Sequence, residues 1–159
     1  MEKSWNINTI ITGKNYSDYL KENGWVFCGS GCCRDVYIKG NSVIKVPYNI
    51  KGLQSNKSEH KLYHESLGKH KRYAPCRLLK NNCLLMRAIS DLFYYNEDTD
   101  DVEESDSLIP SWAYDLYDGP QVGIDNKGSV YAYDYAEEDP EIQYGGNCYP
   151  SQDAVRIEL

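Results

Sequence analysis

The chain has 159 residues, of which 41% are hydrophobic and 26% are charged, and its formal net charge is −7. This length suits one domain with a sizeable core, and the composition excludes wholesale disorder. No apolar run approaches the roughly 20 residues that a membrane-spanning helix needs, and the N-terminus lacks a signal-peptide core, so we expect a cytoplasmic protein that does not contact the membrane.

The charges are unevenly distributed along the chain. Residues 1–90 contain 15 lysines and arginines against 6 acidic residues, a net charge of +9. Residues 91–159 contain 2 against 18, a net charge of −16. Such a change of sign within one short chain requires an explanation.

Turn signals and apolar runs predict a helix and three strands in the first third of the chain. A short helix over residues 17–23 is capped by Ser17 and ended by Gly24. The strands are predicted over Trp25–Cys28, Asp35–Lys39 and Ser42–Pro47, and a Gly40-Asn41 turn joins the last two into a hairpin.

A second helix is predicted from Asn56 to Leu67, because Asn56 and Glu59 have the spacing of a capping box and Gly68 suits the end. Its apolar stripe shares a face with Glu59. Two more strands, over 76–80 and 83–87, are expected to meet at an Asn-Asn turn.

The acidic half has weaker patterns. Residues 96–107 (NEDTDDVEESDS) are expected to form a solvated loop, and residues 108–117 a short helix. A final hairpin is predicted with strands over 121–124 and 129–133, which brings Gln121 close to Asp134 at its open end.

Neither the six cysteines nor the histidine pair indicates a metal site. The cysteines lack Cys-x-x-Cys spacing, so we interpret them as buried or incidental thiols. His60 and His64 are four residues apart, which is typical of a polar helix face when no further ligands can be assigned.

Two clusters of residues suggest phosphate chemistry. Gly29 and Gly31 would let backbone amides approach phosphate oxygens, and Lys45 on a nearby strand would add an ammonium group. Glu59 is the expected partner of Lys45, and Glu65 is the alternative. Gln121 and Asp134 could face one magnesium ion, since hard oxygen ligands suit this metal.

Four segments resemble the protein-kinase-like superfamily, in the order in which that family has them. Residues 29–36 (GSGCCRDV) resemble the glycine-rich loop, and residues 43–46 (VIKV) resemble the strand with the phosphate-binding lysine. Residues 84–88 (LLMRA) resemble the strand that leads into the adenine-contacting hinge. Residues 121–136 (QVGIDNKGSVYAYDYA) resemble the stretch from the metal-binding Asn through the Asp-Phe-Gly motif. The chain is also similar to short kinase-like proteins of bacteriophages.

The resemblance implies an α+β fold. Residues 1–90 would form a kinase-like small lobe, an antiparallel sheet plus one helix, that binds nucleotide. Residues 91–159 would form a truncated second lobe with an acidic insert and tail. The chain departs from the family where Arg34 replaces the third glycine of the loop and where Gln121 replaces Asn.

The resemblance also implies ATP and magnesium as cofactors and assigns a role to each site residue. Lys45 and Asp118 would be catalytic, with Asp118 positioning the acceptor hydroxyl or accepting its proton. Asp134 and Gln121 would hold the metal. The nucleotide would contact Gly29, Gly31, Lys45, Glu59 and Ala88.

Two functions follow from these expectations. The first is a minimal phosphotransferase that acts on a host protein in the host cytoplasm during phage infection. The second is a catalytically inactive, pseudokinase-like interaction protein or inhibitor that uses its acidic half, including by mimicry of nucleic acid. Direct binding of nucleic acid is not expected, because the chain lacks an aromatic-basic motif.

Overall fold

A five-stranded antiparallel sheet is the largest element of the fold. The structure is a computed structural model that describes residues 16–66, 72–91, 93–96, 101–104, 109–117 and 121–143. The strands of the sheet are β1 (Val26–Ser30), β2 (Arg34–Lys39), β3 (Ser42–Pro47), β4 (Cys76–Leu78) and β5 (Leu84–Arg87). Their order in the sheet is β1-β2-β3-β5-β4.

Two helices, α1 (Tyr16–Glu22) and α2 (Ile50–Ser66), flank this sheet, and α2 connects β3 to β4. A third helix, the single turn α3 (Pro140–Gln143), follows the sheet in the chain. Among the described residues of the second half, Ser111–Asp115 and Ala136–Glu138 form 3-10 helices. The fold of the described residues is therefore α+β, as predicted.

The second half adds two small antiparallel sheets. One has the order β10-β9-β6, and the other pairs β7 with β8. The strands are β6 (Ser90–Asp91), β7 (Phe93–Asn96), β8 (Asp101–Glu104), β9 (Val122–Ile124) and β10 (Val130–Ala132). Gly123 of β9 lies so close to the backbone carbonyl of Ser90 that a Cβ atom would be 2.2 Å from that oxygen.

Each face of the large sheet has its own core. Leu20 of α1 packs with Trp25 and Ile44 in a cluster on one face. On the other face, Leu84 and Met86 of β5 pack with residues of the second half, including Val122, Ala132 and Tyr135. The alternation of side chains along β3 places Ile44 and Val46 towards α1, so Val43 and Lys45 face the opposite side.

Several predicted elements are confirmed. The first helix, the hairpin of β2 and β3 with Gly40 at a φ of +56°, and the β4–β5 and β9–β10 pairs all lie where the sequence predicts them. Strand β1 continues through Gly29 to Ser30. Where a helix is predicted over residues 108–117, the structure has a shorter 3-10 helix over Ser111–Asp115.

The predicted start of α2 is wrong. The helix begins at Ile50, six residues before Asn56, and the side chain of Asn49 accepts a hydrogen bond from the backbone N–H of Gly52 (2.9 Å). Asn49 is therefore the N-cap, and the proposed capping box of Asn56 and Glu59 does not exist. Asn56 is fully buried and donates instead to the backbone carbonyls of Lys45 and Asn82.

The prediction of a loop over residues 96–107 is also wrong in part. Residues 101–104 form β8, which pairs with β7 in the register Asn96↔Asp101 to Phe93↔Glu104. Backbone pairing does not require apolar side chains, so an acidic strand can form at a solvated edge.

Among the described residues, no helix is long and apolar enough to cross a membrane.

Candidate functional site

A cleft of about 550 Å³ lies beneath the β1–β2 loop and beside β3. Its size falls in the range of small-molecule sites. Of the described residues that line it, Arg34, Lys45 and Arg87 are cationic and only Asp134 is acidic. Cations therefore outnumber acidic side chains in the lining of the cleft, in a chain whose net charge is −7.

Lys45 and Glu59 form a buried ion pair on the inner side of this cleft. Lys45 extends from β3, and its Nζ lies 2.9 Å from Oε2 and 3.1 Å from Oε1 of Glu59 on α2. Both side chains are nearly inaccessible to solvent. The predicted pair is thus present, whereas Glu65 is exposed near the end of α2. The ammonium also donates to the carbonyl of Tyr133 (2.5 Å).

Arg34 is part of the same network, a role that the sequence did not predict. Its guanidinium donates to Asn56 Oδ1 (3.1 Å), Glu59 Oε1 (3.0 Å) and Asp134 Oδ1 (2.7 Å). Burial lowers the pKa of Arg34, but the charges of Glu59 and Asp134 outweigh this effect and raise the pKa above its ordinary value. Arg34 remains a cation at every pH at which the protein folds.

Asp134 connects the end of the β9–β10 hairpin to this network. Besides its bond to Arg34, its Oδ1 lies 3.9 Å from Nζ of Lys45. Loss of hydration raises the pKa of this carboxyl group, but the charges of Lys45 and Arg34 lower it more, to about 2. Two cations and two carboxylates therefore balance one another at neutral pH.

Tyr135 fixes the backbone next to Asp134. Its side chain is 1% exposed, its hydroxyl donates to the carbonyl of Ala74 (2.9 Å), and its ring stacks on that of Tyr73 with centroids 4.3 Å apart. Burial raises the pKa of this phenol, so it stays neutral. This anchor holds Asp134 towards β3 and Arg34.

Gln121 and Asp134 lie at the same end of the hairpin, as the predicted turn requires. The backbone N–H of Tyr133 donates to the carbonyl of Gln121 (3.2 Å), and Asp134 follows directly. Asp118, the predicted acceptor of the hydroxyl proton, lies outside the described residues. The structure thus brings together the backbone segments that carry the two metal ligands implied by the resemblance.

The arrangement around Asp134 opposes a magnesium ion at its Oδ1 atom. This oxygen already accepts a hydrogen bond from Arg34 and lies 3.9 Å from Nζ of Lys45. Within the described ranges, no group of three acidic, histidine or cysteine side chains could hold a metal ion. Magnesium binds oxygen ligands at about 2.0–2.1 Å in a near-ideal octahedron. Two flanking cations would repel an ion held at that distance from Oδ1.

The β1–β2 loop is held in place by residues that precede α2. The hydroxyl of Tyr48 donates to the carbonyl of Gly31, and Asn49 Nδ2 donates to that of Cys32 (3.3 Å). Gly29 and Gly31 both line the cleft. A Cβ atom on Gly29 would meet no protein atom within 4 Å, so packing in the protein does not explain the glycine at this position.

Ala88 follows β5 at the rim of the cleft. Its backbone N–H donates to the carbonyl of Asn41 (2.9 Å), so this donor is already used within the protein. Its neighbours Arg87 and Ile89 line the cleft. Arg87 also bonds to Asp125 Oδ2 (3.3 Å), which holds the β9–β10 turn against β5.

The cysteines in the described residues have no disulfide partner. Cys33, Cys76 and Cys83 are buried, while Cys28 and Cys32 are exposed. Burial raises the pKa of Cys76 to about 11 and also raises that of Cys83, so both are inert thiols at neutral pH. Three of the described cysteines are thus buried thiols, as the sequence interpretation allows, and two are exposed.

Comparisons with protein-family models, curated proteins and solved structures found no match to this chain. The function of the cleft is therefore inferred from its geometry and its charge.

Proposed function

We propose that the cleft binds ATP and that the five-stranded sheet with α2 acts as a kinase-like small lobe. The observation that carries this proposal is the buried Lys45–Glu59 pair beneath the β1–β2 loop. In protein kinases, a lysine on the third strand pairs with a glutamate on the helix that follows, and a glycine-rich loop covers the phosphates. Asp134, which the family resemblance implies as a metal ligand, lies 3.9 Å from Nζ of Lys45.

The charge of the cleft supports a polyanionic ligand. Three cations line it, and Gly29 has open space where a side chain would otherwise stand. Backbone amides at such a position can approach phosphate oxygens closely. Lys45 would place its ammonium group against the phosphates, and the cleft volume is large enough for a nucleotide.

Calorimetric titration with ATP tests this proposal, with Lys45→Met as the main variant. We expect the affinity to fall about 10- to 100-fold, since a charge-assisted hydrogen bond contributes about 1.5–3 kcal/mol. Lys57→Met is the control, because it removes the same charge from an exposed position of α2. Thermal unfolding of each variant verifies that it is folded. Equal ATP affinity in wild type and Lys45→Met would contradict the proposal.

A second candidate function is that of a catalytically inactive, pseudokinase-like interaction protein. The observation that favours it is the ion pair of Arg34 with Asp134, which occupies the carboxylate that a phosphotransferase needs. Incubation with labelled ATP separates the two candidates. Self-labelling or labelling of host proteins that disappears in Asp118→Asn indicates transfer, and ATP binding without any labelling indicates the inactive protein.

A further inference from the structure

The cation at position 34 changes the charge of the proposed nucleotide site. A lysine, its helical glutamate and an aspartate together carry a net charge of −1, to which Arg34 adds +1. The guanidinium is 8% exposed and is held by Asn56 and Glu59 as well as by Asp134. It therefore lies at a defined position in the wall of the cleft.

Arg34 also lies beside the carboxylate that a metal ion would bind. Its Nη2 atom is 2.7 Å from Asp134 Oδ1. A divalent ion at about 2.0–2.1 Å from the same oxygen would be within a few ångströms of the guanidinium, in a partly buried site where repulsion between cations is strong. Arg34 therefore disfavours a metal ion at this oxygen, because both would bring positive charge to the same carboxylate.

We propose that the cleft binds the polyphosphate of a nucleoside triphosphate without a divalent cation, with Arg34 in the place of the metal as the second counter-charge beside Lys45. This inference rests on the proposed function, because it concerns the same cleft. It names Arg34 as the charge partner of the phosphates, where the kinase resemblance implies a magnesium ion.

The chemistry of the guanidinium suits this role. Arginine has five N–H donors in a planar fork that matches the geometry of phosphate, and the three contacts above use three of them. Its anchoring by Asn56 and Glu59 means that little side-chain entropy is lost when a ligand binds. Arg87, which is bonded to Asp125, is the third cation among the lining residues.

Titration of the full chain with ATP in EDTA and in excess magnesium tests the inference. We expect ATP to bind in EDTA at least as tightly as in magnesium. Binding that falls about tenfold or more in EDTA would overturn the inference and leave the proposed function standing. The loss of ATP binding under both conditions would overturn the proposed function, and the inference with it.

Asp134→Asn provides a second test that does not remove a buried cation. If Arg34 serves as the counter-charge, this variant binds ATP in EDTA as tightly as wild type or up to about tenfold more tightly, because one negative charge next to the phosphates is gone. If Asp134 holds a metal, the variant instead weakens ATP binding in magnesium about tenfold or more. Glu65→Gln, which removes the same charge from an exposed position of α2, is the matched control and should change neither affinity.

Discussion

Glu59 is the residue on which the buried network depends. It accepts hydrogen bonds from both Lys45 and Arg34, and it is fully buried. Removing one partner of a buried ion pair leaves a charge without compensation. Glu59 therefore stabilises the fold in addition to any role in ligand binding.

Glu59→Gln is expected to lower the free energy of unfolding by about 3 kcal/mol, because two buried cations then share the single remaining carboxylate of Asp134. Urea denaturation measures the change. Glu65→Gln, at an exposed position of the same helix, should stay within about 0.5 kcal/mol of wild type. Equal losses in the two variants would mean that the ion pair in the structure does not contribute to stability.

His60 is expected to be neutral in the folded protein. Its Nδ1 accepts a hydrogen bond from the backbone N–H of Leu78 (3.3 Å), and burial and the neighbouring His64 both lower its pKa. A histidine whose pKa is lowered by folding stabilises the protein above its unfolded pKa, near 6.5, and this contribution is lost as the pH falls through the folded pKa. The protein should therefore lose stability as the pH falls from about 7 to 5.

An NMR titration of the imidazole carbons should give His60 a midpoint below 6.5. His64→Gln should raise that midpoint, since the repulsion between the two rings, whose centroids are 4.4 Å apart, is removed. A midpoint that is unchanged by His64→Gln would show that burial alone shifts the pKa of His60.

At the scale of elements, local patterns predict the strands and the turns well. The alternation of side chains along β2 and β3 and the glycine turn between them depend only on neighbouring residues. Both strands begin and end within one residue of their predicted limits. The start of α2 could not be predicted in this way. Gly52 suggests a turn, but it lies inside the helix. A glycine is needed there because a Cβ atom would be 2.3 Å from the carbonyl oxygen of Cys33.

The same limit applies to the candidate site. The Lys45–Glu59 pair follows from a strand, a helix and the apolar face of that helix, all of which are local patterns. Arg34 does not follow from such patterns, since its partner Asp134 is 100 residues away in sequence. A basic residue in place of a loop glycine is the one signal that could have indicated its role.

The N-cap of α2 joins the helix to the β1–β2 loop. Asn49→Ala removes the hydrogen bond to the Gly52 N–H and the bond to the Cys32 carbonyl, so we expect a loss of about 1–2 kcal/mol in urea denaturation. Gln54→Ala, at an exposed position in the same helix, should be neutral within about 0.5 kcal/mol. A neutral Asn49→Ala would place the start of the helix further along the chain.

At the scale of the whole molecule, the basic and acidic parts of the sequence share one core. The predicted boundary between residues 90 and 91 falls inside β6, which pairs with β9. The backbone N–H of Ala74 donates to the carbonyl of Ala132 across this boundary (2.8 Å), and Ser58 of α2 donates to the buried Asp139 (2.7 Å). The two parts therefore meet at an interface of apolar side chains and hydrogen bonds.

Such an interface predicts that the described parts of the two halves unfold together. Trp25 belongs to the core beneath α1, whereas Trp112 packs against the core that both halves share. Variants that retain only one of these tryptophans, with the others changed to phenylalanine, should give the same urea midpoint by fluorescence, because a two-state transition is seen equally by every probe. A lower midpoint for Trp112 would show that the second half unfolds first, and would also mean that Asp134 can leave Arg34 and Lys45 while the sheet remains folded.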